Sequence, residues 1–128
     1  MKNNFPSLSS VIIGTSDIQK AKEFYVAVFG IIVEIEEPHY ISAHGTDGTH
    51  IEIETDSEHR FPNWVKHNVG TYKNSEFGVE DIHEFMKIVE KHGGKVINKP
   101  EMRPWGPVAE IADLDGNIFL ITQKQNEK

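Results

Sequence analysis

Cysteine is absent from all 128 residues. That removes disulfides, thiol nucleophiles and thiolate metal sites, together with the usual sequence mark of an oxidising compartment. Long apolar runs are missing too. The longest, such as Ile31 to Val33, fall far short of the roughly 20 residues that cross a bilayer, and the opening MKNNFPSLSS has no apolar stretch of signal-peptide length. These absences lead to the expectation of a cytoplasmic protein with no membrane partner. Basic residues are few beside acidic ones, 13 Lys and Arg against 20 Asp and Glu, for a net charge of −7. A surface of that sign repels a phosphate backbone, so no nucleic acid is expected as a partner. A neutral or cationic small molecule suits it better, although acidity also serves solubility alone.

What is present fits one domain, since a chain of this length buries roughly two thirds of its unfolded surface without a staple. Ile18, Ala21, Phe24, Tyr25 and Val28 recur at steps of three and four, an apolar helical stripe that Gly30 ends and Ser16 or Asp17 caps. Ile82, Phe85, Met86 and Val89 form a second stripe, closed by Gly93 and Gly94 and opened by Asp81, with Glu84 placed for a capping box.

The two helices lie 64 residues apart, half the chain. Each sits between short β-branched or apolar runs: Val11 to Thr15 and Ile31 to Ile35 around the first, Phe77 to Val79 and Lys95 to Ile97 around the second. Each half then closes with a hairpin. Tyr40 to His44 pairs with Thr49 to Glu54 across GTDG, and Val108 to Ala112 pairs with Ile118 to Thr122 across DLDGN. The expected fold is α+β, a single unit of two βαβββ modules (about 8–55 and 74–123) joined by a loop over 56–73. A repeated unit that cannot close a core alone implies two four-stranded sheets, each backed by a helix, packed edge to edge into a cup. The aromatic residues of the polar link, Phe61, Trp64 and Tyr72, suit lid or dimer packing.

In THIEIE, residues 49 to 54, period-two alternation puts Ile51 and Ile53 on one face and His50, Glu52 and Glu54 on the other. Three stretches carry a family likeness: SDIQKAKEFYVAVFG, the carboxylate in HIE, and DLDGNIFLIT. In this order, with the half-chain repeat, they resemble the vicinal oxygen chelate superfamily of glyoxalases, bleomycin-resistance proteins and dioxygenases, from about Ser10 to Gln123. The resemblance implies paired βαβββ modules forming a concave mixed sheet around a ligand, often in a homodimer with shared sites. It also implies a divalent metal held from the first and fourth strands of each module. The four corresponding positions here are Ser10, Glu52, Asn74 and Leu120. Only Glu52 is a strong ligand; a hydroxyl, an amide and an isobutyl group complete a poor set for zinc, iron or nickel.

A displaced cluster of His50, Glu52 and Glu54, with Ser42 or His44 across the hairpin, is disfavoured because residues two apart on a strand project in parallel roughly 6.5 to 7 Å apart. No metal and no cofactor are therefore expected. His39, His59, His67, His83 and His92 read as surface histidines. The function expected from the resemblance is binding of a small organic, cationic ligand, of the antibiotic-sequestering kind, in a homodimer. The ligand-binding residues are taken as Ser10, His50, Glu52, Glu54, Trp64, Asn74, Trp105 and Leu120. Trp105 enters because PWGP, residues 104 to 107, holds it on a rigid segment. Glu52 competes between such a ligand and an internal partner such as Arg103. The alternative is a metal-dependent lyase, isomerase or dioxygenase with Glu52 as the catalytic group.

Overall fold

The repeat builds two sheets of identical connectivity. A computed structural model describes residues 4–55 and 60–124, so His59 and the start of the expected link lie outside the described residues. In chain order the elements are β1 (Val11–Gly14), α1 (Ile18–Phe29), β2 (Ile32–Glu37), β3 (Tyr40–His44), β4 (His50–Glu54), α2 (Trp64–Asn68), β5 (Glu76–Val79), α3 (Ile82–Lys91), β6 (Lys95–Arg103), β7 (Gly106–Ala112) and β8 (Ile118–Gln123). The first sheet has the order β1-β4-β3-β2 and the second β5-β8-β7-β6. In each, the fourth strand lies parallel to the first and antiparallel to the third.

Local chemistry accounts for the helix ends. Asp17 caps α1 by accepting from the Lys20 amide at 3.1 Å, and Asp81 caps α3 by accepting from Glu84 at 3.0 Å. Ser16 is not the cap; its hydroxyl and amide donate instead to Asp115. Gly30, at φ 65°, closes α1 in the left-handed region that glycine enters without penalty. Strand β6 runs well past the expected Ile97. Register shifts between Val96 and Asn98 and between Asn98 and Glu101 absorb the extra length. Pro100 fits there because β6 is an edge strand, where a missing amide donor costs little.

One core serves both modules. Ile13, Ile41, Ile51 and Ile53 from the first sheet and Ala109, Ile111, Phe119 and Ile121 from the second belong to one buried cluster with the apolar stripes of α1 and α3. Partly buried Phe29 packs against this cluster and bridges the modules, with ring centroids 5.0 Å from Phe77, 5.3 Å from Phe119 and 6.0 Å from Phe85. The modules are also latched by polar contacts. Asp113 accepts from Tyr25 Oη at 2.5 Å and from the amides of Asp115 and Asn117 at 2.9 Å, while Asn117 Nδ2 donates to Asp113 and to the Gly14 carbonyl. Asp115 in turn accepts from Thr15 and Ser16. Gly70 packs so closely on this turn that a Cβ would lie 2.3 Å from the Asp115 carbonyl oxygen.

The fold is the expected α+β arrangement of two βαβββ modules, each with its own four-stranded mixed sheet. Among the described residues no ladder joins the two sheets, and β1 meets the inter-module segment only at an isolated bridge, Gly14 with Val69. The latch and the shared core hold both apolar sheet faces against the helices, so the faces that carry Glu52 and Leu120 lie on the opposite side of each sheet.

Candidate functional site

On β4 the alternation holds: Ile51 and Ile53 enter the core, and His50, Glu52 and Glu54 take the opposite face. That face is not open to solvent, since Glu52 is buried and Glu54 is completely so. A desolvated carboxylate needs compensation. Arg60, six residues beyond the strand, provides it. Its Nη2 lies 2.9 Å from Glu52 Oε1 and 2.8 Å from Glu54 Oε1. Tyr40, on the neighbouring strand, donates its hydroxyl to Glu52 Oε1 at 2.5 Å.

The internal partner of Glu52 is thus Arg60 and not Arg103, which pairs with Glu101 at 3.5 Å on the far hairpin. Burial opposes ionisation of Glu52, but hydrogen bonds from Tyr40 and Ser10 and the Arg60 charge outweigh it and hold the carboxyl below its usual range. Burial and the Glu52 carboxylate together push the Tyr40 phenol up. Burial alone would lower Arg60, yet Glu54 and Glu52 raise it and keep it charged.

A cleft of about 600 Å³ opens along the β1 edge, between Ser10 to Ile12 and residues 71–75, with Trp64 and Asn68 of α2 on its rim. This size matches ordinary small-molecule pockets. Apolar surface comes from Leu8, Val11, Trp64 and Tyr72, and polar groups from Ser10 and Asn74. Short local bonds hold the wall: Asn68 Nδ2 donates to the Trp64 carbonyl at 2.6 Å, and the Tyr72 and Ser75 hydroxyls are hydrogen-bonded. Asn74 has φ 75°, a left-handed conformation that asparagine tolerates better than most side chains.

Of the eight residues read from the sequence, Ser10, Trp64 and Asn74 come together in this cleft. Glu52 and Glu54 form the Arg60 cluster, which Ser10 links to the cleft through its effect on Glu52. His50 is pinned by Ser42 at 2.9 Å and by the Ser9 carbonyl at 3.3 Å. Leu120 is 40 % exposed on β8, opposite Glu76, and its amide donates to Ser75. Trp105 stands at the β6–β7 hairpin tip, 64 % exposed, and is not among the residues lining the cleft. Sequence reasoning missed Tyr40 and Arg60. The signal available was scarcity, since Arg60 and Arg103 are the chain's only arginines.

The donor set does not fit a divalent metal. Ser10 and Asn74 offer neutral oxygens, Leu120 offers nothing, and the remaining carboxylate is already engaged by a guanidinium and a phenol. Among the described residues no group of three His, Asp or Glu side chains is placed to hold an ion.

Comparison with known proteins agrees with this architecture. Residues 7–121 match the family model described as Glyoxalase/Bleomycin resistance protein/Dioxygenase superfamily. The chain is 25 % identical over 124 residues to the uncharacterized protein YetH of Bacillus subtilis (strain 168), covering 91 % of this chain and 97 % of that protein. Its fold is similar to that of a glyoxalase/bleomycin resistance protein/dioxygenase family enzyme from Burkholderia phytofirmans PsJN, with TM-score 0.76 at 21 % identity over 92 % of this chain and 98 % of that one. It is also similar to TnmS3, an antibiotic binding protein from Streptomyces sp. CB03234, with TM-score 0.71 at 20 % identity over 97 % and 100 %. No helix among the described residues is long and apolar enough to cross a membrane.

Proposed function

The chain belongs to the Glyoxalase/Bleomycin resistance protein/Dioxygenase superfamily, and on that premise we propose that it binds a small organic molecule in the cleft beside Trp64, sequestering it without chemistry. One observation carries the reading. Ser10 and Asn74, two of the positions where the family resemblance implies metal ligands, share an apolar-walled cleft, while the third, Glu52, is already compensated by Arg60. In this reading the ligand stacks on Trp64 and hydrogen-bonds to Ser10 and Asn74, and Glu52 and Glu54 attract its cationic part. His50, Leu120 and Trp105 contribute in a cytoplasmic homodimer whose subunits share sites. Support comes from apolar surface at the β6–β7 hairpin, where Met102 and Trp105 are both exposed.

The competing reading is a metal-dependent lyase, isomerase or dioxygenase using Glu52. It draws on the position of Glu52 alone. A general base works best with a pKa raised toward neutrality, and the surroundings of Glu52 push it the other way.

A thermal-shift screen of the native protein with bleomycin-type glycopeptides, polycyclic aromatic antibiotics, common metabolites and divalent metals tests the proposal. An organic compound at a hundred times its Kd is expected to raise Tm by roughly 10 °C. Trp64→Ala should weaken that response at least tenfold while leaving the unliganded Tm nearly unchanged. A saturable response to metal alone, insensitive to Trp64→Ala, would overturn it.

A further inference from the structure

Glu54 is fully buried although it stands on the face of β4 turned away from the core. Its compensation is incomplete in a specific way. Arg60 Nη2 comes within 2.8 Å of Glu54 Oε1, and Arg60 Nε within 3.4 Å of Glu54 Oε2. Yet Glu54 Oε1 and Arg60 Nη2, both buried, have no hydrogen-bond partner, because their approach lies off the hydrogen-bond axis. Charge is matched here, and direction only by the one long hydrogen bond from Arg60 Nε to Glu54 Oε2. The same Nη2 is divided between Glu54 and Glu52, 2.9 Å away. Arg60 is tethered only six residues from Glu54, which restricts how its planar fork lies across the two carboxylates. Planar forks reach their full strength only when two N–H groups align with two oxygens.

We propose that Glu52, Glu54 and Tyr40 form a receptor for a planar guanidinium or amidinium group, filled by Arg60 in the unliganded chain and yielded to a ligand carrying such a group. The proposal rests on the small-molecule-binding reading and names its ligand class. An incoming fork without a tether can align a short hydrogen bond with each oxygen, where Arg60 makes a single long one. The incoming group takes over the pairing that Arg60 gives up, and the displaced guanidinium, on a side chain already 28 % exposed, is hydrated. Strand β1 joins the two places, since Ser10 and Ile12 line the cleft and Ile12 stands in register with Glu52, so a ligand body stacked at Trp64 can reach the receptor. A primary ammonium fits less well because it is a compact point charge with diverging donors. A metal ion finds too few ligands.

Chemical rescue tests this. Arg60→Ala strands the two buried carboxylates of Glu52 and Glu54, and its Tm is expected to fall by roughly 10 °C or more. Methylguanidinium, added to R60A in the millimolar range at constant ionic strength, should raise Tm saturably, by about 5 °C at ten times its Kd. Methylammonium should give less than half that shift, and sodium chloride none. The native chain should respond more weakly than R60A, because its tethered Arg60 competes at high effective concentration. Absence of a saturable rise in R60A, or an equal rise with methylammonium, would overturn the receptor. Should R60A fail to fold, the pair E54Q/R60A removes the more deeply buried of the two stranded charges and keeps Glu52 with Tyr40. Saturable methylguanidinium binding to it, read by the ring resonances of Tyr40, then supports the receptor, and its absence overturns it. Rescue without any Trp64-dependent ligand in the screen would sink the cleft reading and leave the receptor standing; the converse result would do the reverse.

Discussion

Strands β4 and β8 hold the same place in their modules, each between a parallel first strand and an antiparallel third. Their inner faces are alike: Ile51 and Ile53 in one, Phe119 and Ile121 in the other, all buried. Their outer faces have diverged completely. Glu52 is drawn into an ion cluster with Arg60, and its counterpart Leu120 is a partly exposed aliphatic side chain. Packing explains the asymmetry. A core position answers to all its neighbours at once, whereas an outer position answers only to what covers it. The two hairpin turns differ in the opposite sense. Asp47, in the first, makes its hydrogen bonds within its own turn by accepting from Thr49, and those bonds hold its carboxyl below the usual range. Asp113 and Asp115, in the second, hold the two modules together.

These contrasts can be broken by mutation. Phe119→Ala should cost the most, about 3–5 kcal/mol in denaturant unfolding, because it empties the contact between Phe29, Tyr25 and β8. Asp113→Ala should follow at about 2–4 kcal/mol, since it leaves the buried Tyr25 hydroxyl and two turn amides unpaired. Asp47→Ala, in the equivalent first turn, should cost about 1 kcal/mol or less. If the two aspartates cost the same, the latch is not a latch.

Acid sharpens the comparison of the outer faces. The Glu52 carboxyl is depressed in the folded chain, so its stabilising contribution is fully present above the unfolded pKa of about 4.3 and is lost as pH falls through the lower folded value. Glu52→Gln should flatten that acid limb of the stability curve, measured by thermal unfolding between neutral pH and pH about 3. Leu120→Ala, the matched change on β8, should alter stability by less than about 1 kcal/mol and leave the pH profile untouched.

Much of the fold was legible because its causes are local. The stripes of α1 and α3, the aspartate caps and the strand alternation of THIEIE each depend on neighbours a few residues away. The length of β6 was not legible, because the bulges that carry it past Pro100 are set by its pairing with β7. Nor was the partner of Glu52. Choosing Arg60 over Arg103 requires the path of the chain after β4, which no periodicity encodes. The sequence offered both tryptophans as ligand contacts, Trp64 in the polar link and Trp105 on the rigid PWGP segment, and only the tertiary arrangement places Trp64 at the cleft and Trp105 at a hairpin tip. Asn74, found by counting from Asp81, owes its identity at least in part to a backbone conformation invisible in the sequence.

The claim at the centre is that Glu52 answers to the chain's own guanidinium and not to a metal. Elemental analysis of protein purified without chelator, run beside Glu52→Gln, addresses it most directly. The account predicts substoichiometric divalent metal in both proteins and no change in Tm on adding EDTA. One equivalent of zinc, nickel, manganese or iron in the native chain, lost in Glu52→Gln, would contradict it.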